Sequence, residues 1–212
     1  MKTIKTVEEL SEIFGGAPST AAAGKIFSHL SSQAEEFIAR TPFLLLSTRN
    51  EDGQVTISPK GDAAGFVYVA DKNTLYIPER SGNRLIVSLL NILATESIGL
   101  IFLVPNTSET LRVSGQAEIV MDDELNQKLA DRRDSPAILA VKVNVEESYF
   151  HCAKALLRSG LWKPDSWEDQ NKVSFGRELV EKRLITEEIG AIVDKDIDDH
   201  YVQSIKEEGM ID

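Results

Sequence analysis

The sequence predicts a mainly β fold with flanking helices, arranged as a small closed or split antiparallel barrel. Between residues 42 and 120, five or six short strand-like segments are separated by turn residues and interrupted by one helical pattern, which is typical of small barrels. Most of the links are too short for the helical crossovers of a parallel sheet. The chain of 212 residues is long enough to bury a core without disulfides.

The N-terminal segment, residues 1–41, is expected to form helices that pack on the barrel. Thr6 and Glu9 have the spacing of a capping box, and apolar side chains then recur at helical intervals until Gly15 ends the pattern. A second helix is predicted over residues 22–40, with a proline shortly after it. We interpret both helices as packing elements that carry no chemistry.

The barrel segment, residues 42–164, begins with two predicted hairpins. In the first, NEDG separates PFLLLST from QVTIS, and Asp52-Gly53 supplies the positive φ values that a tight reversal needs. In the second, DKN separates GFVYVA from TLYIP. A helix starting near Arg84 then leads to SIGLIFLV, a polar loop and the long strand ETLRVSGQAEIV.

The strand ETLRVSGQAEIV is predicted to have two distinct faces. Period-two alternation places Leu111 and Val113 on the core side, and Thr110, Arg112 and Ser114 on the opposite side. The polar face is therefore available to a partner chain.

The remaining elements follow from the same kind of pattern. Residues 121–133 predict a short helix, AILAVKVNVEESYF predicts a strand, and HCAKALLRSGLW predicts a short helix that ends at Gly160. Residues 165–212 form a charged extension that is expected to be helical and to belong to the same domain.

The charge of the chain is negative and uneven. The net charge is −11, and residues 121–212 hold 13 basic and 21 acidic side chains. Because a nucleic-acid surface needs a basic face, this distribution argues against a nucleic-acid partner. We interpret the acidic half as a solvated exterior, with an acidic partner-binding tail as the alternative.

Cysteine usage and hydropathy indicate a soluble, cytoplasmic protein. The single Cys152 cannot form an internal disulfide, and this fits a reducing compartment. The longest apolar runs are far shorter than the roughly 20 residues of a membrane helix.

His151 and Cys152 are adjacent, so their side chains diverge and no metal site is expected. The simplest interpretation is a packed cysteine beside a partly exposed histidine.

Two arginines in IPERSGNRLIVSLLNI indicate a phosphate site. Arg80 and Arg84 flank a turn at residues 81–83 that leads into a helix. A helix N-terminus offers free N–H groups and a partial positive charge, which together favour a phosphate.

A third cation comes from ISPKGD. Pro59 lies within a strand pattern, so its strand is expected at an edge or a bulge, and Lys60 can then point toward the same anion. Three cations that converge without an anion would repel one another, which favours a ligand. The alternative is that ISPKGD is only the polar end of a hairpin.

These segments together resemble one known family. The succession FLLLSTRNEDGQVTISPKGD, GFVYVADKNTLYIPERSGNRLIVSLLNI and IGLIFLVPNTSETLRVSGQA, followed by HCAKALLRSGLW, is similar to the pyridoxamine 5′-phosphate oxidase-like flavoproteins, in the branch of FMN-dependent enzymes of unknown substrate. The resemblance implies an FMN-binding split β-barrel that forms a homodimer, with two FMN molecules at the subunit interface.

The resemblance also implies which residues contact the cofactor. The strand along the ribityl chain contributes Ser58, Pro59 and Lys60, and the strand beside the ring contributes Tyr76, Ile77 and Pro78. The phosphate turn contributes Arg80, Asn83 and Arg84. The strand that reaches the neighbouring subunit's cofactor contributes Glu109, Thr110 and Arg112, and the C-terminal part of the pocket contributes Arg158, Ser159 and Trp162.

The implied function is an oxidoreductase that acts on an unidentified small molecule. A flavin supplies the hydride chemistry itself, so no catalytic side chain is assigned. Pyridoxamine 5′-phosphate oxidase itself has a substrate-binding arginine and histidine near its C-terminus, and these lack counterparts here, since His200 has no arginine two residues before it. Oxidation of pyridoxamine phosphate is therefore not the expected activity. The alternatives are a flavin-binding or sensing protein without turnover, a relative that binds haem or a deazaflavin, and a plain interaction domain.

Overall fold

Seven strands and seven α-helices form within the residues that the computed structural model describes, which are 1–16, 24–82, 84–169 and 171–207. The strands are β1 (Phe43–Arg49), β2 (Val55–Gly61), β3 (Tyr68–Asp71), β4 (Thr74–Glu79), β5 (Ser97–Leu103), β6 (Thr110–Val120) and β7 (Leu139–His151). The helices are α1 (Val7–Phe14), α2 (Ser32–Ile38), α3 (Val87–Thr95), α4 (Asp123–Lys128), α5 (Lys154–Ser159), α6 (Phe175–Glu181) and α7 (Glu187–Glu207), with a 3-10 turn at Pro164–Ser166.

The strands make one antiparallel sheet in the order β2-β1-β5-β6-β7-β4-β3. β2 lies at one end of this order and β4 near the other, yet side chains of the two strands are in contact. The sheet therefore curls into a barrel that backbone hydrogen bonds do not close between β2 and β4. The prediction of a mainly β, split-barrel fold is confirmed.

The two predicted hairpins are confirmed. β1 and β2 pair in full register, and Gly53 in the turn between them has a φ of 81°. Pro59 lies on β2, which pairs with β1 alone and is therefore an edge strand. This is the position expected for a strand proline, because proline cannot donate a backbone hydrogen bond to a second neighbour.

One large apolar core fills the barrel. The inner faces of the strands contribute Leu44, Leu75 and Phe102, which are all fully buried. Leu111 and Val113 of β6 join this core, while Thr110, Arg112 and Ser114 alternate with them and stay partly exposed. The predicted two faces of β6 are therefore confirmed.

Helix α3 is attached to the β1–β2 hairpin by buried polar groups. The Asn91 side-chain nitrogen donates to the hydroxyls of Thr48 and Thr56 at 3.1 and 3.0 Å. Thr95, at the end of the helix, donates to the carbonyl of Arg49. Buried polar groups that satisfy one another in this way fix a single arrangement, so the start of α3 is held close to β2.

The first predicted helix forms, but its predicted packing does not. Thr6 caps α1 by accepting from the N–H of Glu9, and Gly15 ends it in a left-handed conformation. No residue of α1 is buried, and its apolar stripe is exposed. The capping residues correctly predicted the helix, because a cap depends only on neighbouring residues. The apolar stripe does not show which surface, if any, the helix packs against.

The second helix is shorter than predicted. It begins at Ser32, after Ser31 caps it by accepting from the N–H of Ala34. Before it, Phe27 forms a β-bridge with Ser148 of β7. This part of the chain is therefore extended and does not belong to the helix. Residues 22 and 23, where this helix was expected to start, lie outside the described residues. α2 packs on the core through Ala34, Phe37 and Ile38.

Two helices, α6 and α7, form in the described part of the C-terminal extension, as predicted. α6 and α7 approach closely at Gly176 and Gly190, where a side chain on Gly176 would meet the Gly190 carbonyl oxygen. Asp194 accepts from the Gly176 N–H and from the hydroxyl of Ser174, and these hydrogen bonds lower the pKa of its carboxyl. No helix in the described part of the chain is long and apolar enough to cross a bilayer.

Close backbone packing at Gly115 predicts a sharp sensitivity to substitution. A Cβ atom there would lie 2.0 Å from the carbonyl oxygen of Asn144, at the bulge between β6 and β7. Gly115→Ala should therefore lower the free energy of unfolding by about 1–3 kcal/mol or more, measured by chemical denaturation. Gly99→Ala is the control, because its new Cβ would meet only the Ser47 Cβ, at 3.9 Å. Equal stability of both variants would contradict this packing.

Candidate functional site

A cleft of about 830 Å³ opens between β2, the end of β4 and the start of α3. It brings together the two motifs that the sequence analysis connected to a phosphate. Six of the predicted cofactor residues line it, namely Ser58, Pro59, Lys60, Pro78, Arg80 and Arg84.

Two ion pairs cross this cleft. The Lys60 ammonium lies 2.5 and 2.7 Å from the two carboxylate oxygens of Glu79. The Arg80 guanidinium lies 2.8 and 2.9 Å from one oxygen of Asp62. Two of the three cations therefore have carboxylate partners within the chain, so mutual repulsion does not require a ligand. That the cations bind an external anion stays a prediction.

Neither carboxylate was among the residues predicted from the sequence. Glu79 directly precedes Arg80, and Asp62 follows Lys60 by two residues. The signal was the acidic residue beside each basic one. It could not be used without the fold, because each pair joins residues 18 or 19 positions apart.

Arg80 is surrounded by more than one acidic group. Its Nη1 atom is buried and has no hydrogen-bond partner in the described part of the chain. Burial raises the pKa of the Asp131 carboxyl, but the N–H groups of Ser135 and Arg133 and the charge of Arg80 together hold it below its usual value. The Asp131 carboxylate therefore also interacts electrostatically with Arg80, although it does not line the cleft.

Arg84 differs from the other two cations. It is exposed, and it forms no ion pair within the ranges that the structure describes. Its φ is 60°, and that of Ile86 is 42°. Left-handed φ values are unfavourable for such residues, most of all for a β-branched one, and they cluster at binding sites. Three cations and two carboxylates line the cleft, so Arg84 leaves it with a net positive charge.

Helix α3 begins at Val87, three residues later than predicted. The left-handed backbone at Arg84 and Ile86 delays it, and no side chain caps its first turn. Val87, Ser88 and Leu89 nevertheless line the cleft. The first N–H groups of a helix have no intrahelical acceptor, so this end of α3 can bind an anion beside Arg84.

Two predicted residues of β4 pack away from the cleft. Ile77 is buried in the main core, and Tyr76 stacks on Tyr68, with ring centroids 6.0 Å apart. Neither lines the cleft. Asn83, the remaining predicted residue of the phosphate turn, lies outside the described residues.

A second set of predicted residues lies on a separate surface. Glu109 lines a groove of about 370 Å³ together with Thr107, and the indole nitrogen of Trp162 donates to the Thr107 carbonyl at 2.9 Å. No described residue lines both this groove and the cleft. The structure therefore does not bring the two sets together within one chain.

Arg112 belongs to the same set, on the polar face of β6 beside Thr110. Its guanidinium lies 5.9 Å from the ring centroid of Tyr149, and Nη1 approaches the Tyr149 hydroxyl at 3.4 Å. The Nε atom is buried without a hydrogen-bond partner among the described residues.

The C-terminal candidates are mostly exposed. Arg158 and Ser159 lie at the exposed end of α5, where the Ser159 hydroxyl donates to the Leu156 carbonyl. Cys152 is also exposed, so the interpretation of a packed cysteine is wrong. It sits just after β7 ends at His151, where the chain leaves the sheet.

Comparison with known families gives the context of the cleft. Residues 30–152, which include all seven strands, match the family model described as pyridoxamine 5′-phosphate oxidase. The chain belongs to the pyridoxamine 5′-phosphate oxidase family. The resemblance found in the sequence is thereby confirmed. The match includes the cleft and ends before α5, so α6 and α7 lie outside it.

Several solved structures are similar to this chain. HupZ of Group A Streptococcus is 20% identical over 57% of this chain and 92% of its own, with a TM-score of 0.46. A protein related to general stress protein 26 from Clostridium acetobutylicum is 16% identical over 56% and 85%, with a TM-score of 0.43. An FMN-binding protein from Syntrophomonas wolfei is 12% identical over 55% and 87%, with a TM-score of 0.41. Among curated proteins, none matches this chain.

Proposed function

We propose that this chain binds FMN in the cleft and serves as an FMN-dependent oxidoreductase for a small molecule. The observation that carries the proposal is the cationic end of the cleft, where Arg84 and the start of α3 meet, in a chain of the pyridoxamine 5′-phosphate oxidase family. The volume of about 830 Å³ falls within the usual range of small-molecule sites. FMN has one phosphate, which suits the single short turn.

Each part of the cleft has a distinct role in this proposal. Arg84 and the N–H groups at the start of α3 bind the phosphate, because both offer donors and positive charge to a dianion. Ser58 on β2 lies along the ribityl side, and Lys60 offers the phosphate a further positive charge when it leaves Glu79. When bound, the flavin supplies hydride and electron transfer, and the chain positions it and excludes water.

The proposal includes a homodimer with a composite site. Of the residues that the family resemblance connects with the cofactor, six line the cleft, and Thr110 and Arg112 lie on the polar face of β6. A second chain can bring its β6 to the cleft of the first. Exposed apolar side chains beside the cleft offer a surface for that chain to cover, and they are Val55, Ile57, Leu90 and Leu93.

Two alternatives remain distinct from this proposal. A flavin-binding or sensing protein would hold FMN without turnover, and a relative that binds haem or a deazaflavin would use the barrel for another cofactor. Anaerobic addition of NADH or NADPH, followed by absorbance, separates the first alternative from an enzyme. Bleaching of the flavin band at a catalytic rate supports the oxidoreductase, and an unchanged band favours the non-catalytic protein.

The purified protein should be yellow and should release FMN on denaturation. The reason is the proposed phosphate site at Arg84 and the start of α3, which suits the one terminal phosphate of FMN. Chromatography of the released cofactor against FMN and FAD standards checks this. A colourless protein that also fails to take up added FMN would contradict the proposal.

Replacing Arg84 should weaken FMN binding selectively. Arg84→Ala removes a charge-assisted hydrogen bond worth about 1.5–3 kcal/mol, so FMN affinity should fall by about ten- to a hundredfold. Riboflavin has no phosphate and should bind the wild type and the variant alike. Titration of both ligands by flavin fluorescence measures the difference. An equal loss for both would mean that the substitution only disturbed the fold.

The composite site predicts complementation between two defective chains. Differently tagged Arg84→Ala and Thr110→Trp chains are co-expressed, and the heterodimer is isolated. If each site combines one cleft with the other chain's β6, one site collects both defects and the other is intact, so about one flavin should bind per heterodimer. Each variant homodimer should bind little flavin. Flavin retained by an isolated wild-type monomer would contradict the composite site.

A further inference from the structure

Lys60 and Glu79 form an ion pair across the split in the barrel. Lys60 belongs to the edge strand β2, and Glu79 is the last residue of β4. Both carboxylate oxygens of Glu79 accept from the same ammonium group, and both residues line the cleft. A lysine positioned to bind an anionic ligand is thus already engaged by an anion of the chain.

We propose that Glu79 sets the affinity and the selectivity of the cleft for phosphate-bearing ligands, because it competes with them for Lys60. This inference rests on the proposed FMN site and deepens it. Without a ligand, Glu79 neutralises Lys60, and it lines the same cleft as Arg84. A ligand phosphate must then take Lys60 from Glu79 or bind beside a like charge, and each course lowers its affinity.

The second carboxylate of the cleft has a different role. Both oxygens of Asp62 are occupied, since Oδ1 accepts from the Ala63 N–H at 2.6 Å and Oδ2 accepts from Arg80. Its side chain is 8% exposed, against 21% for Glu79. Asp62 is therefore a fixed partner that positions Arg80. Among the described residues, Lys60 is the only hydrogen-bond donor to the Glu79 carboxylate. Glu79 can therefore exchange this one partner for solvent.

A purely structural role for the pair gives the opposite expectation. If Lys60 and Glu79 only hold β2 and β4 together, removing the Glu79 charge loosens the cleft and weakens every ligand, with or without a phosphate. If Glu79 competes, the same change strengthens phosphate-bearing ligands alone. The sign of the effect on FMN, compared with riboflavin, therefore distinguishes the two roles.

Glu79→Gln tests this directly, because it removes the charge and keeps the shape. FMN and riboflavin are titrated by fluorescence quenching at low salt. FMN affinity should rise by about tenfold, as expected for one like charge removed at short range in a medium of intermediate dielectric constant. Riboflavin affinity should stay the same. Weaker or unchanged FMN binding, or an equal change for both ligands, would overturn the proposal.

Glu118→Gln is the matched control. It removes the same charge from another cross-strand pair, with Lys142 at 2.9 Å, and Glu118 lies outside the cleft. Its FMN affinity should equal that of the wild type. A tenfold gain in this variant as well would mean that net charge alone raises the affinity, and the proposal would be wrong.

A second set of variants serves if Glu79→Gln does not fold. Lys60→Gln leaves the Glu79 carboxylate unpaired in the cleft and should weaken FMN binding. Lys60→Gln with Glu79→Gln removes both charges and should restore an affinity close to that of the wild type. Failure of the double substitution to restore binding would overturn the role of Glu79. A wild type that binds neither FMN nor riboflavin would instead refute the proposed function, and this inference with it.

Discussion

The cleft depends on two ion pairs that span the split in the barrel. Lys60 meets Glu79, and Arg80 meets Asp62, although β2 and β4 share no backbone pairing in the described sheet. β2 is an edge strand, and β3 pairs with β4 only as far as Tyr76, so the end of β4 has no strand partner on that side among the described strands. Side chains therefore connect β2 with the end of β4. The same four side chains connect the walls of the cleft and carry four of the five charges that line it.

The start of α3 forms the remaining wall of the cleft. Asn91 ties α3 to Thr48 and Thr56 of the first hairpin, which places the start of the helix at the mouth of the cleft. The preceding turn is left with two residues, Arg84 and Ile86, in left-handed conformations. Such backbone strain costs about 1–3 kcal/mol for each residue, so the rest of the fold must offset it.

Local signals in the sequence predicted much of the fold, and long-range pairings were missed. Thr6 and Gly53 specify a cap and a turn through their own chemistry, and Pro59 excludes a central strand. The start of α2 depends on the bridge from Phe27 to β7, which no local pattern contains. In the site, the basic residues were found because they cluster in sequence. The role of Glu79 was not, because it appears only when the sheet curls and brings β4 to β2.

The most direct test of this account is a crystal structure of the protein grown with FMN. The account predicts the phosphate within hydrogen-bonding distance of the Arg84 guanidinium and of the N–H groups at the start of α3. It also predicts β6 of a second chain on the other side of the flavin. A phosphate bound elsewhere on the chain, or a flavin held by one chain alone, would contradict it.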